Sequence, residues 1–345
     1  MIRPIQYLRA LAAMMVVWHH ALGQIASYSK FIVLPEFGPS GVDLFFVISG
    51  FIMIVTTTEK PLTPLRFFEL RIVRVVPLYW LVTLLMIGCA IVAPSAFKTL
   101  QFSPAAVAKS LFFVPYYSLS FPGEIWPVLV PGWTLSYEMF FYAIFALTLA
   151  LPLGVRLSCL VTILCALVIT GRMVQPSNPI ALVYTSPLLL EFGLGAIIGY
   201  LWIRKELEIG LTISLVAVTM GLWMLFRRGD LWGYSQMVGA ALTVMGCLNA
   251  WIRTFHSRLL LALGDASYSI YLTHLFTLGA MRVVWVRVVP QVSLSTAIAF
   301  MGIALVVCAA TGWACYRWGE RPLTTQLRRL AQRKSSVTSA GGKVE

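Results

Sequence analysis

The chain has 345 residues, 59% of them hydrophobic and only 11% charged, with a formal net charge of +13 and a mean hydropathy of +0.85. A soluble core has no room for that much apolar surface, which excludes a water-soluble enzyme and leaves an integral membrane protein whose length is used up by spans. The basic residues lie between and after apolar segments, so membrane lipids with anionic headgroups and anionic small molecules are the expected partners, and not nucleic acid.

Apolar windows at about 5–26, 39–57, 75–93, 133–152, 155–171, 181–203, 209–226, 233–250, 267–289 and 293–315 follow one another along the chain. Backbone in lipid must satisfy its own hydrogen bonds, so each window reads as a helix, and barrel strands would be half as long. The expected fold class is all-α: a polytopic integral membrane protein of about ten transmembrane helices. Lys and Arg are more numerous on the side that carries the chain ends, although much of the excess sits in the tail. The positive-inside rule therefore places both termini in the cytoplasm.

The first window, "YLRALAAMMVVWHHALG", holds Arg9 and the pair His19-His20 in an otherwise oily run. A short apolar core, Arg3 and the sequence Ala21-Leu22-Gly23 also resemble a signal peptide; two histidines beside the cleavage point favour a retained span. Arg9 and His20 are eleven residues apart, close to three helical turns, so they share a face about 16 Å apart along the axis. His19 points about 100° away from it.

The second window, "GPSGVDLFFVISGF", carries Asp43 among small residues that let neighbouring backbones approach. Ahead of the third, "RFFELRIVRVVPLYW" sets Arg71 and Arg74 three apart on one helical face, a spacing suited to gripping a pyrophosphate or carboxylate. Between the third and fourth windows, residues 94–132 hold five prolines and two aromatic-rich pieces, which forbids one long helix and suggests an element at the membrane interface.

The fourth window opens "PGWTLSYEMFFY", with Glu138 one turn in. In the sixth, "EFGLGAIIGY" spaces Gly195 and Gly199 as a helix-packing face. The ninth, "LGDASYSIYLTHLF", repeats Tyr268, Tyr271 and His274 along one side. The six cysteines lie in apolar runs without metal-ligand spacing or a pairing pattern, so neither a disulfide framework nor a metal site is expected. After Trp318 the chain turns basic and then Ser/Gly-rich, expected to be a short interfacial helix followed by disorder. Two regions result, 1–318 in the membrane and 319–345 as a basic cytoplasmic tail.

Ionisable groups inside spans are costly and by default face a cavity or one another. Each has an ordinary reading as well. Arg9 can snorkel, His20 can be an internally satisfied ring, Arg71 and Arg74 can set topology, Asp43 and Glu138 can be structural partners, and the tyrosines can form an interfacial belt. Together, the ordinary readings need several independent accidents.

Five blocks in order, Arg9-x10-His20, "GVDLFFVISGF", Arg71-x-x-Arg74 leading into "PLYW", "WTLSYEMFFY" and "GDASYSIYLTH", resemble acyltransferase family 3, and within it the bacterial exopolysaccharide acetyltransferases of the succinoglycan-modifying type. The resemblance covers nearly the whole chain. It implies a ten-span bacterial inner-membrane enzyme that moves an acetyl group from cytoplasmic acetyl-coenzyme A to a sugar hydroxyl of a surface polysaccharide precursor, free or lipid-linked, with no metal. His20 matches the essential histidine and Arg9 its motif partner. Asp43 and Glu138 match the acids of the second and fourth blocks, and Arg71 with Arg74 the paired arginines expected to hold the coenzyme. Tyr268, Tyr271, His274 and Trp133 are candidate substrate contacts. The sequence departs from its relatives at His19, Tyr137 and Met139.

On this reading His20 acts as general base with Asp43 orienting it, or else as an acetyl-carrying relay. A transporter or flippase of lipid-linked sugars is the competing class, with a non-catalytic scaffold third.

Overall fold

The computed structural model describes residues 2–26, 34–36, 38–226, 234–248, 254–289 and 293–341. The outer ends of the 233–250 window and the last four residues of the tail lie outside them. Thirteen α-helices make up the described residues, with no strand among them.

The first is α1 (Arg3–Ala26), followed by α2 (Ser40–Glu59) and α3 (Pro64–Val92). The third helix begins well before its apolar window because Thr63 caps it, accepting from the Arg66 amide, and Pro64 occupies the first turn. Arg71 and Arg74 are therefore helical, nearly two turns and one turn before the internal Pro77.

Residues 94–132 fold back against α3. They contain α4 (Pro104–Leu111), capped by Ser103, and a single turn at Val130–Gly132. The Tyr79 hydroxyl donates to the Ser110 carbonyl at 3.1 Å and the Trp80 indole to that of Leu111 at 2.8 Å, pinning the segment to the side of the bundle.

Next come α5 (Trp133–Thr148), α6 (Leu153–Val174), α7 (Pro179–Tyr184), α8 (Leu189–Ile203), α9 (Leu211–Phe226) and α10 (Tyr234–Cys247). The chain then forms α11 (Arg258–Val288) and α12 (Leu294–Cys315), capped by Ser257 and Ser293. A wide π-type turn, Tyr316–Glu320, bends α12 into α13 (Arg321–Gly341).

Among the described residues, six helical stretches are long and apolar enough to cross a membrane: Ser40–Glu59, Pro64–Val92, Leu153–Val174, Pro179–Ile203, Arg258–Val288 and Leu294–Ala331. Helix α9 is apolar but shorter. Helices α5 and α10 are shorter still or equal, at 16 and 14 residues, and α1 is long enough but diluted by its polar residues. Leu81, Leu84, Leu85 and Ile91 on α3, and Ile298 and Val306 on α12, are exposed, as side chains facing lipid are.

The core is assembled by close helix pairs: α2 on α8, α9 on α10, and α1 on both α11 and α2. Small residues set the first of these. A Cβ built on Gly195 would lie 1.9 Å from the Val47 carbonyl oxygen, and one on Gly50 would lie 2.0 Å from that of Phe192. The packing face expected from Gly195 and Gly199 is thus the α2 contact. Phe192 stacks between Phe46 and Phe141, each with ring centroids at 4.5 Å, and ties α2, α5 and α8 together.

Gly195→Ala is expected to destabilise the protein by about 1–3 kcal/mol, because backbone has to move. The thermal midpoint in detergent measures this. Gly23→Ala is the control, since nothing lies within 4 Å of its Cβ position.

Candidate active site

Helices α1, α2, α3, α5 and α11 converge on a cavity of about 90 Å³ lined by Arg9, Ser49, Arg71, Arg74, Glu138 and Tyr142, with Thr134, Tyr268 and Tyr271 at its α5–α11 side. Six of the ten residues singled out from the sequence, Arg9, Arg71, Arg74, Glu138, Tyr268 and Tyr271, therefore meet in one place. They come from four separate helices, which only tertiary packing brings together.

Glu138 is well anchored. Its Oε1 accepts from the Ser49 hydroxyl at 3.1 Å and from the Tyr142 hydroxyl one turn along its own helix. The Arg71 guanidinium lies over the Phe67 and Tyr142 rings, at 5.2 and 5.9 Å from their centroids. Its Nε is buried without an acceptor. Arg9 is only 8% exposed, and its one hydrogen bond here is donated to Gln6 Oε1 at 3.1 Å.

Among the described residues none of these three arginines forms a salt bridge. Three guanidinium groups thus share a mostly apolar cavity with a single carboxylate. Buried positive charge of that kind is expensive without a counter-ion, and planar forked donors suit phosphate or carboxylate oxygens. Glu138, Glu320 and Asp265 offset part of that charge at a distance, and the chemistry of the lining is suited to an anion.

The aromatic wall is hydrogen-bonded throughout. Tyr268 donates to the Val75 carbonyl at 2.7 Å, and the Tyr271 hydroxyl meets Thr134 Oγ1 at 2.9 Å and the Pro131 carbonyl at 3.0 Å. These bonds fix α11 against α3 and the start of α5.

Tyr271 leads to the histidines. His274, one turn further on, is fully buried, and its Nδ1 lies 2.6 Å from the Tyr271 carbonyl. Its ring is 4.9 Å from that of His20 on α1. Helix α11 can approach α1 this closely because Gly264 sits against the Gln6 backbone, where a Cβ would be 2.2 Å from the carbonyl oxygen. His20 does not line the cavity; Tyr271 and His274 stand between.

His19, which spacing left apart, has a separate task. Its Nδ1 is 2.8 Å from Glu36 Oε1, while its ring packs on His20 at 4.9 Å. Nearby, the Trp18 indole donates to the Pro35 carbonyl at 2.9 Å. Residues 34–36 are held over the end of α1 by these two contacts.

Two sequence expectations land elsewhere. Asp43, expected to orient His20, is hydrogen-bonded to Glu191 of α8, because it falls on the α8-facing side of α2. Trp133 lines a separate small cavity with Lys109, Tyr116 and Val183, since its neighbour Thr134 takes the inward position.

Two acids escaped the sequence reading. Glu191 is 1% exposed, and the rule that flagged Asp43 and Glu138, an acid inside an apolar window, applies to it equally. Glu320 is buried in the π-type turn, accepts from Ser269 Oγ at 2.6 Å and lies within electrostatic reach of Arg9 and Arg74. It follows the last apolar window, so no local signal marks it. Glu320 lies just beyond the boundary expected at 318 and packs back on α11 through Ser269.

All six cysteines are free. Among the described residues, no three or more His, Cys, Asp or Glu side chains are grouped to share a metal ion.

The helical fold with several membrane-length apolar helices is that of a multi-pass membrane protein, and comparison with known proteins supplies its class, an acyltransferase. The acyltransferase-domain family, acyltransferase family 3, matches residues 3–314, and the chain belongs to it. It is 40% identical over 318 residues to the exopolysaccharide production protein ExoZ of Rhizobium meliloti (strain 1021), a match covering 89% of this chain and 95% of that protein. No solved structure matches.

Proposed function

We propose that the protein is an O-acetyltransferase of the bacterial inner membrane. It moves an acetyl or other short acyl group from cytoplasmic acetyl-coenzyme A to a sugar hydroxyl of an exopolysaccharide precursor. The observation that carries this reading is the convergence of Arg9, Arg71 and Arg74, without salt-bridge partners among the described residues, on a cavity that Tyr271 and His274 link to His20. The name of the Rhizobium meliloti relative supports the choice of acceptor.

Arg71 and Arg74 line the cavity from α3, and on this reading they hold the phosphates of the coenzyme at its cytoplasmic side. On this reading α1, α5, α9 and α10 span the membrane as well as the six longer stretches, for ten spans, and the excess of Lys and Arg on the side of the chain ends supports cytoplasmic termini.

In the reaction, His20 accepts the proton of the sugar hydroxyl as its oxygen attacks the thioester carbonyl carbon. The carbon–sulfur bond breaks, and the coenzyme leaves as a thiolate that takes the proton back from the imidazolium. One ester and one free thiol result.

The acetyl content of surface polysaccharide, measured by NMR with and without this chain in its native host, tests the proposal directly. Loss of a specific O-acetyl signal is expected; an unchanged spectrum contradicts it. A flippase of lipid-linked sugars is separated by thermal shift of the purified protein. Acetyl-coenzyme A at a hundred times its dissociation constant is expected to add about 2.7 kcal/mol of stability, whereas a carrier without a coenzyme site gains none.

A further inference from the structure

The reading of His20 as base leaves open what orients it, now that Asp43 is engaged with Glu191. Geometry supplies another candidate. His274 is fully buried on α11, its Nδ1 is 2.6 Å from the Tyr271 carbonyl oxygen, and its Nε2 is buried with no hydrogen-bond partner.

A carbonyl oxygen only accepts, so Nδ1 must donate to it and carries the hydrogen. In the singly protonated ring Nε2 is then left as an acceptor. A buried acceptor without a donor among the described residues is costly, and the ring of His20 packs against that of His274, with centroids 4.9 Å apart and planes inclined by 38°. The Nδ1 bond holds the His274 ring in place, so rotation of the His20 ring alone has to bring one of its nitrogens to Nε2.

We infer that His274 is a positioning residue for His20: the Tyr271 carbonyl fixes the His274 tautomer, and His274 Nε2 accepts from one His20 nitrogen, leaving the other with its lone pair toward substrate. The logic is that of a base held by a third group in the right tautomer, here with an imidazole in the place usually given to a carboxylate. The inference rests on the proposed role of His20. It also gives Tyr271 a second task, since its backbone sets the tautomer while its side chain lines the cavity.

The chain contains four histidines, so imidazole nitrogen-15 signals of the full-length protein in nanodiscs can be assigned with single variants. The expected result is one tautomer for His20 in the native protein. In His274→Phe, which keeps a flat buried ring without an acceptor, His20 becomes a mixture of tautomers, and kcat with acetyl-coenzyme A falls about a hundredfold while the donor KM changes less than about twofold. His274→Gln returns an acceptor oxygen near the Nε2 position, restores one His20 tautomer and keeps kcat within about tenfold of native.

An unchanged His20 signal in both variants overturns the inference. So does a His274→Gln protein as inactive as His274→Phe with a native His20 signal, which would assign His274 to substrate instead. The tautomer is read without substrate. If His20→Ala transfers acetyl normally, the proposed function loses its base, while the pairing of the two rings is judged separately by the nitrogen-15 signals.

Discussion

A His20→Ala protein is expected to fold and bind acetyl-coenzyme A as the native protein does, yet to transfer the acetyl group at least about a hundredfold more slowly, within the range of roughly 10²–10⁴ that positioned acid–base groups contribute. The geometry explains why only chemistry should suffer. His20 is half-buried, separated from the arginine cavity by Tyr271 and His274, and it touches His19 and His274 but none of the arginines. Transfer of labelled acetyl to polysaccharide precursor in membranes, compared with the donor-induced thermal shift of the purified variant, separates the two effects. Undiminished transfer would remove His20 from the mechanism. Loss of the thermal shift along with the activity would mean that the substitution had disturbed the donor site instead.

The second large effect belongs to the other end of the site. Arg71→Glu with Arg74→Glu is expected to raise the donor KM at least about a hundredfold, equivalent to about 2.7 kcal/mol, and to leave acceptor affinity nearly unchanged. Each native guanidinium can contribute charge-assisted hydrogen bonds worth about 1.5–3 kcal/mol apiece. Arg71 is already fixed over Phe67 and Tyr142 with its Nε lacking an acceptor, so little ordering remains to oppose binding. The neutral pair Arg71→Gln with Arg74→Gln guards against a folding defect caused by two buried acids, and should show a smaller loss of the same kind. A change confined to acceptor KM would contradict the assignment of these residues to the donor.

The helices were legible because the membrane imposes them. A window of apolar residues has few other ways to satisfy its backbone, and each expected window contains a helix among the described residues. Helix starts were less visible: Thr63 and Ser257 act as caps well outside the apolar runs that flagged the third and ninth windows.

Within the site, spacing along a single helix was informative. Arg71 with Arg74, and Tyr268 with Tyr271, do line one cavity together. Partnerships between helices were not accessible in that way. Asp43 is expected beside His20 if α2 packs beside α1, which it does, but an acid near the start of a helix can face any neighbour, and the small-residue contacts of Gly50 and Gly195 bring α8 to α2 as well, where Asp43 meets Glu191. His274 was noticed as part of a stripe, while its meeting with His20 depends on Gly264 closing α11 onto α1. Glu320 depends on a wide turn that no local composition announces.

The three arginines without salt-bridge partners have a consequence for the protein at rest. Their mutual repulsion is relieved when an anion enters, so folded stability and donor affinity draw on the same electrostatic free energy. If the proposed donor is that anion, a protein without it is in its least stable form, and the thermal midpoint rises with donor concentration.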